Sequence, residues 1–369
     1  MSLDYSPERR EMVLDSWDRW IDHKLGRPII DVAVSGGKAP GRPAPRREVN
    51  TRFLQFAGDA SAEEIIDCID YGLSKNLYPG DAYPAFWPNY GAGVLAAYMG
   101  AKVDPREDGN TVWFHPPRER EAADIHLKLD PENEWFRHTL AVKQAAMDRW
   151  GGAVQVAMTD LGGNLDILAS FRPGEKLLLD LYDCPEQVER QMWEAHEAWF
   201  EAWDAFNAVL QPGNMGYSAW AGVLCSRPHY MLQCDFCYMI GPEMFERFVK
   251  PELAACCRKI PKAFYHLDGV GQLAHLDSLL EIDQLAGVQW IPGDGQPDCR
   301  HWPEVYRKIH AAGKLIQVFP PQQDGRSCLE VLDIIADQIG AAEPICLIAA
   351  ISPEQRGDLD AMLTRHGAE

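Results

Sequence analysis

Basic charge is what this chain is shortest of: 35 lysines and arginines stand against 55 aspartates and glutamates, a formal net charge of -20. An acidic surface repels phosphate backbones and anionic lipid, so neither nucleic acid nor a membrane surface is an expected partner. Long apolar runs are missing too, and nothing approaches the ~20 residues needed to cross a bilayer. Met1–Arg10 carries Asp4, Glu8, Arg9 and Arg10 without an apolar core, so it does not read as a secretory signal. The ten cysteines have no even spacing, which fits reduced thiols better than a disulfide scaffold. The expected compartment is the cytoplasm. No second Cys-x-x-Cys joins Cys234 and Cys237 to make a zinc ribbon, and strand alternation is expected to put those two on opposite faces. Gly162-Gly163 lacks the Gly-Lys-Ser/Thr of a phosphate loop. There is no internal repeat of solenoid type.

What is present is apolar bulk, 46% of 369 residues, enough for one large core. Helix starts are legible. Ser6-Pro7 opens a stretch in which Met12, Leu14, Trp17, Trp20 and Ile21 recur near helical spacing, Ser61 and Glu64 form a capping box, and Ser352, Pro353 and Gln355 repeat the signature. The longest pattern starts at Pro185 and aligns Met192, Trp193, His196, Trp199, Phe200, Trp203 and Phe206 as a core stripe. Short apolar runs at 154–158, 263–265, 288–291, 315–319 and 345–349 read as strands. Strands that apolar, alternating with helices, predict a parallel sheet covered on its outside, either a closed barrel or a doubly wound sheet. Residues 35–50 and the Pro- and aromatic-rich tract Tyr78–Tyr90 read as irregular loops of the kind that cover enzyme sites. Cys256 and Cys257 fall in a helix and read as packing.

Chemistry concentrates between Leu232 and Trp290. The tract contains Cys-Asp235-Phe-Cys, then Gly241-Pro-Glu-Met-Phe-Glu-Arg-Phe-Val-Lys-Pro251, then Phe-Tyr-His266-Leu-Asp268-Gly, then Gly-Val-Gln-Trp290-Ile-Pro-Gly-Asp294-Gly. Asp235, His266, Asp268, Trp290 and Asp294 all fall at or just past expected strand ends, and on one strand His266 and Asp268 point to the same side. The bland alternative for that pair is a neutral imidazole bonded to a carboxylate in a core. Asp160, before Leu161-Gly162-Gly163-Asn164, either holds a ligand or caps a helix. Asn214, Tyr217 and Trp220 precede the Asp235 strand, and their aromatic planes with an amide suit a flat or cationic ligand as well as plain packing. His275 and Asp277 repeat the His-Leu-Asp string at a helix entry, where capping or support of the site is the expected role.

A strand ending in Asp, a Gly-Pro-Glu-x-Phe-x-x-Phe-x-x-Pro helix and a strand ending in His before Gly resemble the uroporphyrinogen decarboxylase superfamily, including its cobalamin-linked methyltransferases. The likeness covers roughly residues 150–365 and rests on order and spacing. It implies one (β/α)8 barrel over residues 1–369, with residues 1–120 carrying an N-terminal helical and loop extension, and a site at the C-terminal ends of the strands. It also implies a methyltransferase-like enzyme moving a one-carbon group to or from a corrinoid protein or a small acceptor. His266, Asp268 and Asp235 are then the catalytic candidates, Trp220 and Trp290 the pocket walls, and Tyr217, Asn214, Asp294 and Asp160 further substrate-binding candidates. In the zinc-dependent members a His-x-Cys and a distant Cys hold a metal that makes a substrate thiol nucleophilic. Here His266 matches, Asp268 replaces the first Cys, and the second has no counterpart. Cys346 lies near the start of its expected strand, about 10 Å below the far end at ~3.3 Å per residue. Zinc accepts His and carboxylate ligands, so a His266/Asp268 site with an unidentified third ligand is one expectation. A decarboxylase is the alternative, but Asp31 and small apolar residues occupy the N-terminal strand where that family places arginines. Arg42, Arg46, Arg47 or Arg227 would have to serve. A non-catalytic tetrapyrrole- or corrinoid-binding barrel is the third reading.

Overall fold

The computed structural model describes residues 5–105, 111–321 and 328–369. Met1–Asp4 of the charged N-terminal stretch lie outside the described residues. Helices begin where their caps are written. Ser6 accepts the Arg9 N–H ahead of the helix Pro7–Ile21, and Ser61 and Glu64 cap each other's backbone ahead of Ala62–Leu73. Pro185 opens the helix that runs to Leu210 and buries Met192, His196, Trp199, Phe200, Trp203 and Phe206. Trp193 departs from the expected stripe and is 39% exposed, since it lies about 100° round the helix from Met192. Met12 is turned out in the same way. Among the described residues no helix is long and apolar enough to cross a membrane.

The strands among the described residues are β1 (Ile29–Val34), β2 (Ala85–Phe86), β3 (Lys102–Pro105), β4 (Val112–His115), β5 (Gln155–Val156), β6 (Met231–Gln233), β7 (Phe264–Asp268), β8 (Gly287–Ile291), β9 (Leu315–Val318) and β10 (Ile345–Ile351). Six form one parallel ladder in the order β1-β10-β9-β8-β7-β6. A separate parallel pair joins β2 to β5, and β3 and β4 pair antiparallel. The fold is therefore α/β with helices between parallel strands, and its ladders leave β1 and β6 as edges; they do not by themselves close an eight-stranded barrel. Backbone bonds bring the small pair close. The Asp81 N–H reaches the Ile30 carbonyl at 3.2 Å, and the Met158 N–H reaches Ser218 at 2.8 Å. The latter bond is also why the strand expected over 154–158 shortens to Gln155–Val156.

Parallel pairing sets neighbouring residues of one register on one face. Gln233, His266, Gln289, Gln317 and Cys346 are matched in this way from β6 to β10. Four polar side chains thus make one row across the inner face, backed by apolar residues such as Leu267, Val288 and Ile316 on the other parity. Cys346 ends the row, fully buried at the second residue of β10 and so near the start of its strand as expected, and it does not meet His266. Distance along the sheet is what separates them: three strand steps, or about 14 Å at ~4.8 Å each.

Candidate active site

His266 and Asp268 sit two residues apart on β7 and do point to the same side, with Nε2 and Oδ2 3.7 Å apart. Asp235 joins them from a 3-10 turn, Asp235–Met239, that follows β6 directly. One ligand atom from each of the three lies within 4.8 Å of the others. Asp166 fixes that turn. Its carboxylate accepts the Asp235 N–H at 3.0 Å and the Phe236 N–H at 2.7 Å, as a cap on a helix start. The turn also brings Cys237 over Cys234 within reach of its thiol, so these two face each other instead of lying on opposite faces; both remain free thiols.

The row of amides sets the state of His266. Gln289 donates through Nε2 to Gln317 Oε1, which leaves Gln289 Oε1 facing the imidazole. Nδ1 of His266 therefore carries a hydrogen and donates it to Gln289, and Nε2 is the nitrogen presented to the two aspartates. Trp220 stands edge-on to the ring, centroids 4.9 Å apart at 88°, with its own Nε1 buried and without a partner. Burial works against charge on His266, but the hydrogen bond to Asp268 and the charges of Asp235 and Asp268 outweigh it and hold the pKa above the ordinary imidazole value.

The surrounding carboxyls press on one another. Burial, only partly offset by the Gly162 and Gly93 N–H groups, pushes Asp160 up to about 7, and the nearby Asp235 charge adds to the rise. Burial and Asp235 push Asp166 up as well. Asp235 is raised by its surroundings and by Asp268, against the pull of His266. No lysine or arginine is among the main causes of these shifts.

A pH dependence follows. Below pH ~4 the Asp160 carboxyl is protonated in folded and unfolded chains alike; between there and about 7 it is protonated only in the folded chain. Stability of the metal-free protein therefore falls as pH rises through that window, and the raised pKa of His266 adds a loss of the same sign. Thermal melts from pH 5 to 8 are expected to show a shallower fall in Asp160→Asn than in the native chain. Equal slopes would remove Asp160 as the cause.

Other candidates are placed elsewhere. Trp290 pairs in register with Leu267, on the parity opposite His266, and packs against Trp302 at 5.3 Å outside the sheet, so it does not wall the mouth. Asn214 spends its amide on the backbone of Val156, donating at 2.8 Å and accepting at 2.9 Å. Tyr217 stacks on Trp203 at 6.3 Å and pairs with Cys225. Asp294 is exposed and lines an open groove together with Asp268, Ile291 and Gln296. His275 stacks on Phe245 at 4.6 Å and bonds the Cys237 carbonyl, while Asp277 pairs with Lys308.

No family model matches the sequence, and no curated protein matches it. The fold is similar to that of a methyltransferase from Methanosarcina mazei. The likeness has a TM-score of 0.63 and covers 96% of this chain and 99% of that one. At 12% identity it concerns the fold alone.

Three contributors to the site are not legible in the sequence: Asp166, Gln289 and Gln317. The only signal was polarity at strand parity, a glutamine in each of two apolar runs. Replacing Gln289 by Leu removes the acceptor that orients His266. For the metal site proposed below, zinc affinity is expected to fall about 10–100-fold, as for other groups that support a metal ligand, with recovery in Gln289→Glu. Chelator-competition titrations that read equal affinity in all three proteins would refute the orienting role.

Proposed function

We propose that this chain is a methyltransferase of the uroporphyrinogen decarboxylase superfamily type, a single barrel domain over residues 1–369 in which the two parallel ladders are arcs of one (β/α)8 barrel. It moves a methyl group between a corrinoid protein and a small acceptor in the cytoplasm. The convergence of Asp235, His266 and Asp268 is the observation that carries this reading. Two carboxylates and an imidazole suit zinc or another divalent cation, and the excess of acid around them favours one electrostatically. A cation bound there would lower the pKa of an acceptor thiol so that it reacts as the thiolate.

The residues of the chain supply position. His266 is held by Gln289 with Nε2 facing the mouth, Asp235 is held by Asp166, and Trp220 covers the imidazole on one side. In the transfer the acceptor loses its proton to solvent and its lone pair forms the bond to the methyl carbon. A corrinoid partner would supply the methyl group as an electrophile and keep the electron pair of the bond it gives up. Alignment of the two partners is where most of the rate enhancement would come from. The decarboxylase reading asks for an arginine at the mouth. Arg227 is paired with Asp22 and Arg42 with Asp67 and Asp70, which counts against both.

The test is methylcobalamin and a panel of small thiols, with the corrinoid spectrum followed for metal-free and zinc-loaded protein. Demethylation by the loaded form alone supports the reading. A native chain that takes up no metal despite added zinc would sink it.

A further inference from the structure

Behind the β6 wall lies a second group of ligand-type side chains that the proposed transfer does not use. His196, on the helix Pro185–Leu210, faces Glu252 and Cys256 on the helix Lys250–Lys259, and all three are buried. Glu252 and Cys256 are four residues apart, so they share one helix face. His196 Nδ1 is 2.8 Å from Glu252 Oε1 and 3.7 Å from Cys256 Sγ, and the thiol is 2.9 Å from the same carboxylate oxygen. A buried carboxylate calls for a cation or hydrogen-bond donors, and here His196 and the Cys256 thiol are the partners of Glu252. Among the described residues neither lysine nor arginine pairs with Glu252; the nearby Lys259 amine lies over the Phe200 ring instead.

We propose that His196, Glu252 and Cys256 form a structural site for a divalent transition metal, zinc in the first instance. The donor set is balanced: a carboxylate and a thiolate neutralise a dication and the imidazole stays neutral, so the buried site carries no net charge. On binding, the Cys256 thiol gives up its proton to solvent. Tetrahedral zinc bonds of about 2.0–2.3 Å put ligand atoms roughly 3.4–3.6 Å apart. The sulfur–nitrogen edge already has that length, and the two hydrogen-bonded edges open by about half an ångström. A fourth position exists, because a small cavity lined by His196, Glu252, Cys256 and Gly163 has room for about one water. Gly163 and Gln233 line the same cavity, so the ion braces the wall from which Asp166 and Asp235 reach the mouth.

This site contains sulfur, whereas the mouth site is built from oxygen and nitrogen only, and the test uses that difference. The full-length His266→Ala chain, in which the mouth site is disabled, is stripped and reconstituted with cobalt(II). One bound equivalent with a near-ultraviolet thiolate-to-cobalt charge-transfer band is expected, and the band is lost when Cys256→Ser is added. Retention of the band in that double variant, or no bound cobalt in His266→Ala, overturns the proposal. Because the double variant can fail to fold, X-ray absorption at the zinc edge of the His266→Ala chain provides an independent reading. One sulfur neighbour at about 2.3 Å is expected, and a shell of oxygen and nitrogen alone would refute the assignment.

Discussion

His266→Ala is expected to remove one equivalent of divalent metal per chain and to abolish the proposed methyl transfer, and Asp268→Ala to do the same. The imidazole is the one nitrogen ligand of the triad, and losing it leaves two carboxylates in a mouth where Asp160 and Asp166 already hold their protons more tightly than free aspartate does. Without a cation these acids take up protons instead of binding metal, so affinity falls further than the 10–100-fold expected for a supporting residue. Asp235→Asn is the informative intermediate. An amide keeps the shape and one oxygen donor but removes a charge, so weakened binding with residual turnover is expected. Elemental analysis and a competition titration with a chromophoric chelator read the effect. Native metal content in either alanine variant would place the ion elsewhere.

The parts of this site that were legible in the sequence are the local ones. His266 and Asp268 needed only the two-residue alternation of a strand, and Asp235 only its position at a strand end. Partners from remote segments were out of reach. Asp166 holds a turn 69 residues away, and Gln289 bonds His266 across 23 residues. Inter-strand register is absent from a single sequence. Trp290 was placed at the mouth because it ends a strand, yet β8 pairs with β7 so that Gln289 takes the inner position. Cys346 needed only its place near the start of a strand, which keeps it below that strand's far end. Cys234 and Cys237 failed for a different reason. Alternation was extended past Gln233, where the chain had already left the strand for a 3-10 turn. The helix caps, whose partners are three residues apart, came through intact.

Close packing behind the site makes the second large prediction. A Cβ added at Gly163 would stand 2.0 Å from the Gln233 carbonyl oxygen and 2.8 Å from Asp166 Oδ2. Neither neighbour can give way cheaply: the carbonyl belongs to β6, and the carboxylate is fixed by the N–H groups of Asp235 and Phe236. Overpacking ordinarily costs about 1–3 kcal/mol, and backbone-to-backbone conflict of this kind lies at or above the top of that range. Gly163→Ala is therefore expected to lose about 3 kcal/mol or more in chemical denaturation and, where it folds, to bind metal more weakly because Asp235 is displaced. Gly174→Ala is the matched control. It sits at the first turn of the helix Gly174–Asp183 with open space around the added carbon, so it should be neutral or stabilising by up to about 1 kcal/mol. Equal stability in the two alanine variants would mean that β6 and the Asp160–Asn164 loop separate easily. The wall that positions Asp235 would then be soft, and the arrangement of the triad would depend on its ligand.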